Sequence, residues 1–183
     1  MTRVVLLSGW MGSGKDHVAR VLVERHGYTR FAFADMVKDE VATLYRVPRE
    51  LMDTHEGKNT MIGDRTVRRY LIDHAEACRT MDPLCWTRPV CRQILEREID
   101  RVVISDWRMP AEHEGITAVF DNVTTLRVQR WAVHPSEPHV DPTESALDTF
   151  QFDAVFDNSG TTADLEQCVD HLADILHGDT SVV

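Results

Sequence analysis

Positive charge, paired cysteines and long apolar runs are all scarce in this chain, and each shortage excludes something. Lysine and arginine together number 20 against 30 aspartates and glutamates, a formal net charge of −10. A general nucleic-acid binder carries a basic footprint, so no nucleic-acid partner is expected. A local arginine cluster can overcome the global sign, which leaves a small anionic substrate open. The four cysteines, Cys78, Cys85, Cys91 and Cys168, form no Cys-x-x-Cys pair. They read as reduced thiols in a cytoplasmic setting. No apolar run approaches a membrane span, and the N-terminus lacks a signal-peptide pattern, so no membrane partner is expected. His134 and His139 flank a proline-rich loop, but two histidines without a third ligand make a poor zinc site. There is no internal repeat, low-complexity tract or interdomain linker.

What is present is ordinary in bulk and specific in one place. A chain of 183 residues with 43% hydrophobic and 27% charged residues suits one domain, large enough for a real core. The specific place is Gly9-Trp-Met-Gly-Ser-Gly-Lys-Asp16, between the apolar run Val4–Leu7 and a stretch of helical periodicity. Strand, glycine-rich loop and helix are the context of a phosphate-binding P-loop. Successive backbone N–H groups point inward at a phosphate, and the helix N-terminus adds partial positive charge. Gly9, Met11, Gly12, Ser13, Gly14, Lys15, Asp16 and His17 are therefore the expected ATP contacts, with Lys15 on the outer phosphates. Trp10 and Met11 fill variable positions and pack locally. A serine or threonine hydroxyl commonly follows the lysine and touches Mg²⁺; here the residue is Asp16. Its carboxylate suits a hard cation, directly or through water. It would also sit favourably at a helix N-terminus without any metal.

Periodicity lays out the rest. Helices are expected over about 15–26, from Asp35 to before Pro48, from near Arg65 through Cys78, and from Asp82 through Leu95. Further ones are expected from Pro110, near Glu144–Thr149, and over Thr162–His177. Pro89 would interrupt or kink the fourth. In the last helix Leu165, Cys168, Leu172, Ile175 and Leu176 are expected inward. Strands are expected at Val4–Ser8, Arg30–Ala34, Arg101–Ser105, Thr124–Arg130 and Phe152–Phe156. Residues 49–64 read as polar and irregular. The alternation predicts an α/β fold: a five-stranded parallel sheet with helices on both faces, P-loop nucleoside-monophosphate-kinase-like, in a single domain. Residues of about 35–80 would form acceptor-binding helices, and about 131–150 a short lid-like segment. Ligands of such sheets collect at the carboxyl ends of the strands. There the sequence puts Gly9–Asp16, Asp35, Ser105–Arg108 and Arg130.

Four constellations follow. Asp106, just past the third strand, is placed to hold Mg²⁺ through its water shell, and Arg108 to project toward phosphate; the plainer reading is a helix-capping aspartate and a surface arginine. Arg65, Arg68 and Arg69 form a basic cluster that could hold an acceptor phosphate bidentately, or a solvated helix face paired with Asp64 or Asp73. Asp35, with Lys38 one turn away, could contact an acceptor or serve as a plain N-cap. Arg130, nearer its strand end than Arg127, is the better active-site candidate of the two. Trp86 is a pocket wall, a base-stacking residue or core. The lid-like segment holds no lysine or arginine over 131–150. A closing cation would come from Arg130, from the Arg65–Arg69 helix or from the partner subunit of a homodimer. Asp141, Glu144 and Asp148 make that segment acidic; it could meet hydroxyls or bases of a substrate, or be an ordinary solvated loop.

These residues carry a family resemblance. Gly-x-x-x-Ser-Gly-Lys-Asp at 9–16, Phe-Ala-x-Ala-Asp at 31–35, Val-Arg-Arg at 67–69, Ser-Asp-x-Arg at 105–108, Asp-x-x-x-Ser-Ala-Leu at 141–147 and Asp-Asn-Ser-Gly at 157–160 resemble the deoxynucleoside monophosphate kinases of T-even-type bacteriophages. The likeness covers most of the chain, and the aspartate after the P-loop lysine is a feature of that group. It implies ATP- and Mg²⁺-dependent phosphorylation of a deoxynucleoside monophosphate in a cytoplasm (the host's, for a phage-encoded chain). Arg69 and Arg108 would then hold the acceptor phosphate. The motifs also resemble animal-type phosphomevalonate kinase, more closely at Leu51–Thr54 and Val140–Ser145, which would make the acceptor an isoprenoid-precursor monophosphate. A third reading, a regulatory module that binds nucleotide without transferring phosphate, also stays open.

Overall fold

The computed structural model describes residues 1–131, 143 and 145–178. Its centre is β1 (Arg3–Ser8), whose residues from Val4 to Ser8 are all buried. A strand apolar at successive positions must be covered on both faces, and that requirement organises everything else. On one side β1 pairs in parallel with β5 (Arg101–Ile104), Val4 opposite Val102 and Leu6 opposite Ile104. On the other it pairs in parallel with β6 (Asn122–Gln129), Leu7 opposite Leu126 and Ser8 opposite Arg127. The outer strands are β2 (Thr29–Phe31), beside β5, and β7 (Ala154–Asp157), beside β6. The five-stranded order is β2-β5-β1-β6-β7, all parallel. The chain places strands on one side of β1 first and then crosses to the other, which opens a crevice at the carboxyl end of β1.

The period of two sorts the core into two clusters. Val5, Leu7, Val103, Leu126 and Val128 pack against α1 (Lys15–His26) and α7 (Thr162–His177). Val4, Leu6, Val102 and Ile104 face the larger cluster, built by α2 (Phe33–Tyr45), α4 (Val67–Met81), α5 (Thr87–Glu96) and α6 (Pro110–Thr117). Between α2 and α4 lie a 3-10 turn (Arg49–Met52), the one-turn α3 (His55–Asn59) and a small antiparallel hairpin of β3 (Met61–Ile62) with β4 (Arg65–Thr66).

Several expectations are corrected. The second strand ends at Phe31, and α2 starts at Phe33, not Asp35. Residues 49–64 are structured, and Arg65 lies on β4, so the helix of the basic cluster begins at Val67. Pro89 neither breaks nor kinks a helix. It is the third residue of α5, where a missing N–H costs nothing. The fifth strand runs from Ala154 to Asp157, not from Phe152. Residues 145–149 form turns rather than a helix. The bounds of α7 match, and Leu165, Leu172 and Leu176 face inward as expected, joined by Val169 and Ala173, but Cys168 and Ile175 are exposed. His134, His139, Asp141 and Glu144 lie outside the described residues.

Trp107 locks the connection from β5 to α6. It is fully buried, its N–H donates to the Leu7 carbonyl at 3.1 Å, and its indole Nε1 donates to Met109 O at 2.8 Å. Phe150 meets its ring edge-on at 4.8 Å, with Phe152 at 5.5 Å. Trp107→Ala is expected to cost about 3–5 kcal/mol through the cavity left behind, read as a lower urea midpoint.

Candidate active site

Glycine is obligatory at two points of the turn between β1 and α1. Gly9 has φ 154°, and a Cβ there would lie 2.5 Å from the Val128 carbonyl oxygen. Gly14, the N-cap of α1, has φ 103°, and a Cβ would lie 2.3 Å from the Asn158 amide nitrogen. Neither position can hold a side chain without strain. Asn158 is what closes the space: its amide donates to Ser13 O at 2.8 Å, and its own N–H donates to Gln129 O at 2.7 Å. Inside the turn Ser13 N–H donates to Trp10 O at 3.1 Å, and Ser13 is fully buried. Gly12 also has positive φ. Lys15 opens α1 and is 9% exposed, while Asp16 and Met11 beside it are exposed. A backbone curled this tightly at a helix N-terminus is an anion cradle, with one ammonium group in its wall.

His17 is engaged by α7 through its side chain. Its N–H donates to Gly14 O at 3.0 Å, and its imidazole sits 3.0 Å from Glu166 Oε1 on α7 and 2.7 Å from Arg20. It faces α7 rather than the cradle. With Arg25 and His26 bonded to Asp170 at 3.0 and 2.7 Å, it clasps α1 to α7.

Across the crevice, Asp106 has a task that the sequence offered only as the plainer alternative. Both carboxylate oxygens accept backbone N–H groups at 2.8 Å, from Phe33 and Ala34, the first two amides of α2. The cap of that helix thus comes from another loop, and Asp35 lies within the first turn. Desolvation by the surrounding protein pushes the Asp106 pKa up, against the two amide bonds. Glu112 repeats the pattern on the next loop. Buried at the start of α6, it accepts from the N–H groups of Arg108 and Met109, both at 3.0 Å. Burial first, and the nearby Asp106 charge among lesser causes, push its carboxyl up to about 7. These two acids fix the Ser105–Met109 loop and hence the root of Arg108, whose guanidinium reaches Thr143 Oγ1 at 3.3 Å.

The acceptor-side cations are redistributed. Arg65 and Arg69 both turn to Asp73, at 3.3 Å and 2.8 Å, as an exposed ion-paired surface. That is the solvated alternative for these two. Arg68 points elsewhere, to Asn59 Oδ1 at 3.5 Å. There it joins Lys58 on α3, a residue the sequence reading passed over. Burial lowers the Lys58 pKa, and the positive charges of Lys38, Arg68 and Arg108 lower it further, against a weaker opposing pull from Asp53. Four cations therefore share one electrostatic neighbourhood. Lys38 is held there by Asp53 at 2.9 Å and Asp35 at 3.3 Å, and Arg49 clamps Asp53 at 2.7 Å and Asp39 at 2.9 Å. The Asp53 carboxyl is held down at about 2, chiefly by its hydrogen bonds from Arg49 and Lys38. Arg49, Asp53 and Lys58 fall in the stretch that carries no periodic signal.

Trp86 is core. It is 2% exposed and packs 5.8 Å from His74, so it is not a base-stacking surface. Arg130 is exposed one residue beyond β6, and Arg127 is buried. Arg127 bonds Asp148 at 2.6 Å and Ser8 at 3.4 Å, and its guanidinium lies 5.3 Å from the Trp10 ring, behind the glycine turn.

No protein-family model matches the sequence, and no curated protein matches it. Solved structures do. TT1252 from Thermus thermophilus is 18% identical, aligns over 96% of this chain and 98% of its own, and superposes with a TM-score of 0.57. A sugar kinase from Janibacter sp. HTCC2649 is 14% identical over 97% and 95%, with a TM-score of 0.52. Dephospho-CoA kinase from Campylobacter jejuni is 11% identical over 96% and 97%, with a TM-score of 0.50. With the five-stranded parallel sheet and its flanking helices, these likenesses give the chain the α/β fold of P-loop kinases.

Glu112 makes stability depend on pH in a definite direction. Its pKa is raised on folding from 4.5 to about 7. The folded state therefore binds more protons in that window, and this contribution is lost as pH rises from the unfolded value through the folded one. Glu112→Gln keeps an acceptor for both amides and removes the titration. Urea unfolding at about pH 5 and about pH 8 should show a smaller drop for the variant, by roughly 2–3 kcal/mol.

Proposed function

We propose that the protein is an ATP- and Mg²⁺-dependent phosphotransferase whose acceptor already carries a phosphate, with a deoxynucleoside monophosphate as the leading candidate. The reading rests on two anion-attracting groups borne by elements that follow strands of the sheet. One is the glycine cradle with Lys15. The other is the group of Lys38, Lys58, Arg68 and Arg108. ATP supplies the phosphoryl group, and Mg²⁺ offsets the charge of its outer phosphates. The residues fit both. The cradle has room only for backbone, and Asp16 offers an exposed carboxylate beside Lys15, the hard oxygen donor such a cation takes. Asp106 keeps partial exposure while capping α2, which leaves it a route to the same cation through water.

In this reading Lys15 and Arg108 stabilise charge on the transferred group. Arg68 and Lys58 hold the acceptor phosphate, and Lys38 is fixed for the rest of the acceptor by Asp35 and Asp53. No general base is required, because a phosphate oxygen is already ionised near neutral pH. Arg130 would close from the lid side, with Asp141 and Glu144 on acceptor hydroxyls; a homodimer partner is the other source of a closing cation. The reaction would take place in a cytoplasm.

One observation favours the second acceptor class. Trp86 is withdrawn into the core, which removes the base-stacking candidate, and Lys58 adds a cation to the site. An isoprenoid-precursor monophosphate that also carries a carboxylate would use that extra charge without needing a ring to stack on. An ATP-consumption assay across the deoxynucleoside monophosphates and phosphomevalonate separates the two. Turnover with none of them, despite ATP binding, would leave a nucleotide-binding module.

Three substitutions test the site itself. Lys15→Ala should lower turnover about 100- to 1000-fold with an unchanged circular dichroism spectrum. Arg68→Ala should raise the KM for the acceptor about 10- to 100-fold while the KM for ATP stays put. Arg69→Ala should change either by less than about threefold, as expected of an exposed ion pair. The reverse order would return the acceptor phosphate to Arg69.

A further inference from the structure

Away from the crevice, the contact between α2 and α4 brings three chemically different donors together. His74 and Cys78 are one helical turn apart on α4, and Glu40 faces them from α2. Glu40 Oε2 lies 2.9 Å from His74 Nε2, Cys78 Sγ lies 3.8 Å from the same nitrogen, and the three donor atoms fall within 4.8 Å of one another. We propose that Glu40, His74 and Cys78 form a Zn²⁺-binding site, with water in the fourth position. The proposal is independent of phosphoryl transfer.

Geometry, donor chemistry and surroundings support it separately. Tetrahedral zinc with ordinary bond lengths separates nitrogen from oxygen by about 3.3 Å and nitrogen from sulfur by about 3.6 Å. The observed 2.9 and 3.8 Å need shifts of less than half an ångström, and the oxygen and sulfur, within 4.8 Å of each other, close toward about 3.6 Å by rotation of the half-exposed Glu40 side chain. One imidazole, one thiolate and one carboxylate suit Zn²⁺ and are a poor match to Mg²⁺ or Ca²⁺, which take oxygen. On binding, Cys78 gives up its proton to solvent and the sulfur lone pair goes to the metal. His74 is buried, and its second ring nitrogen, Nδ1, lies 3.5 Å from the Tyr45 hydroxyl, the outer contact that fixes a ligating ring. The Glu40 side chain is half exposed, which gives the ion a way in and room for water. Occupancy would tie α2 to α4, the helices that bear Lys38 and Arg68, at a fixed separation.

The test uses the full chain, reduced and metal-free, with Co²⁺ as the spectroscopic stand-in for Zn²⁺. Expected is a thiolate-to-cobalt charge-transfer band that saturates at one equivalent and is bleached by Zn²⁺. Cys78→Ser, a near-isosteric change, should abolish the band and weaken Zn²⁺ binding by more than about tenfold, the least that even outer-sphere changes cost. Cys85→Ser and Cys168→Ser should keep the band. One equivalent of Zn²⁺ should raise the Tm of the wild type and leave that of Cys78→Ser unmoved. Failure of the wild type to develop the band, its survival in Cys78→Ser, or its loss in Cys168→Ser would overturn the proposal. Because His74 is buried, His74→Gln is judged only if its circular dichroism matches the wild type, and it too should lose the band.

Discussion

The carboxylate of Asp106 is the joint on which the crevice is built. A helix exposes unpaired amides at its start, and α2 begins without a capping side chain of its own. Its first two amides are satisfied from the far side of the sheet edge, by a residue that follows β5. That contact sets where α2 starts relative to the Ser105–Met109 loop, and therefore the distance between Lys38 and Arg108. Glu112 holds the same loop from beneath, and Trp107 anchors it to β1 through Leu7. Burying Glu112 and part of Asp106 carries a cost, which their backbone hydrogen bonds offset. The result is a rigid root for an arginine that would otherwise roam.

Much of this was legible in the sequence because it rests on local signals. Glycines at 9, 12 and 14 declare the turn, the continuous run Val4–Leu7 declares a doubly covered strand, and the periodicity of 162–177 gives α7 its bounds. What was illegible rests on partners distant in sequence. Nothing near Asp35 says that Asp106 has taken its place as cap. Residues 49–66 have no hydrophobic period, because they are held by Arg49, Asp39, Asp53 and Lys38 together with a two-residue hairpin. Neighbouring arginines on a helix point about 100° apart, and only the positions of Asn59 and Asp73 decide that Arg68 turns inward while Arg69 turns out. Trp86 reads as pocket wall, stacking residue or core, and its packing against His74 decides for core.

Charge is arranged against the global trend. The chain is strongly acidic, yet after burial it is the charges of Lys38, Arg68 and Arg108 that lower the Lys58 pKa. Concentrating cations inside an acidic protein creates a local field for anions while leaving the outer surface repulsive to polyanions. The acids that neighbour this group, Asp35 and Asp53, bind Lys38 and Arg49 and act as positioners. A separate set of pairs joins α1 to α7, where Glu166 and Asp170 hold Arg25, His17 and His26.

The sheet ends on both sides in stubs. Its margins are β2, of three residues, and β7, of four. An open margin of unpaired amides and carbonyls is a template onto which another chain can zip, and that hazard grows with its length and flatness. Arg30 lies in the middle of the first stub, and Asp153 and Asp157 bracket the second. A neighbouring molecule would find few backbone groups to match and a charge to bury at each margin. The brevity of these strands thus guards a parallel sheet, slow to assemble by nature, against fibril-like stacking during its folding.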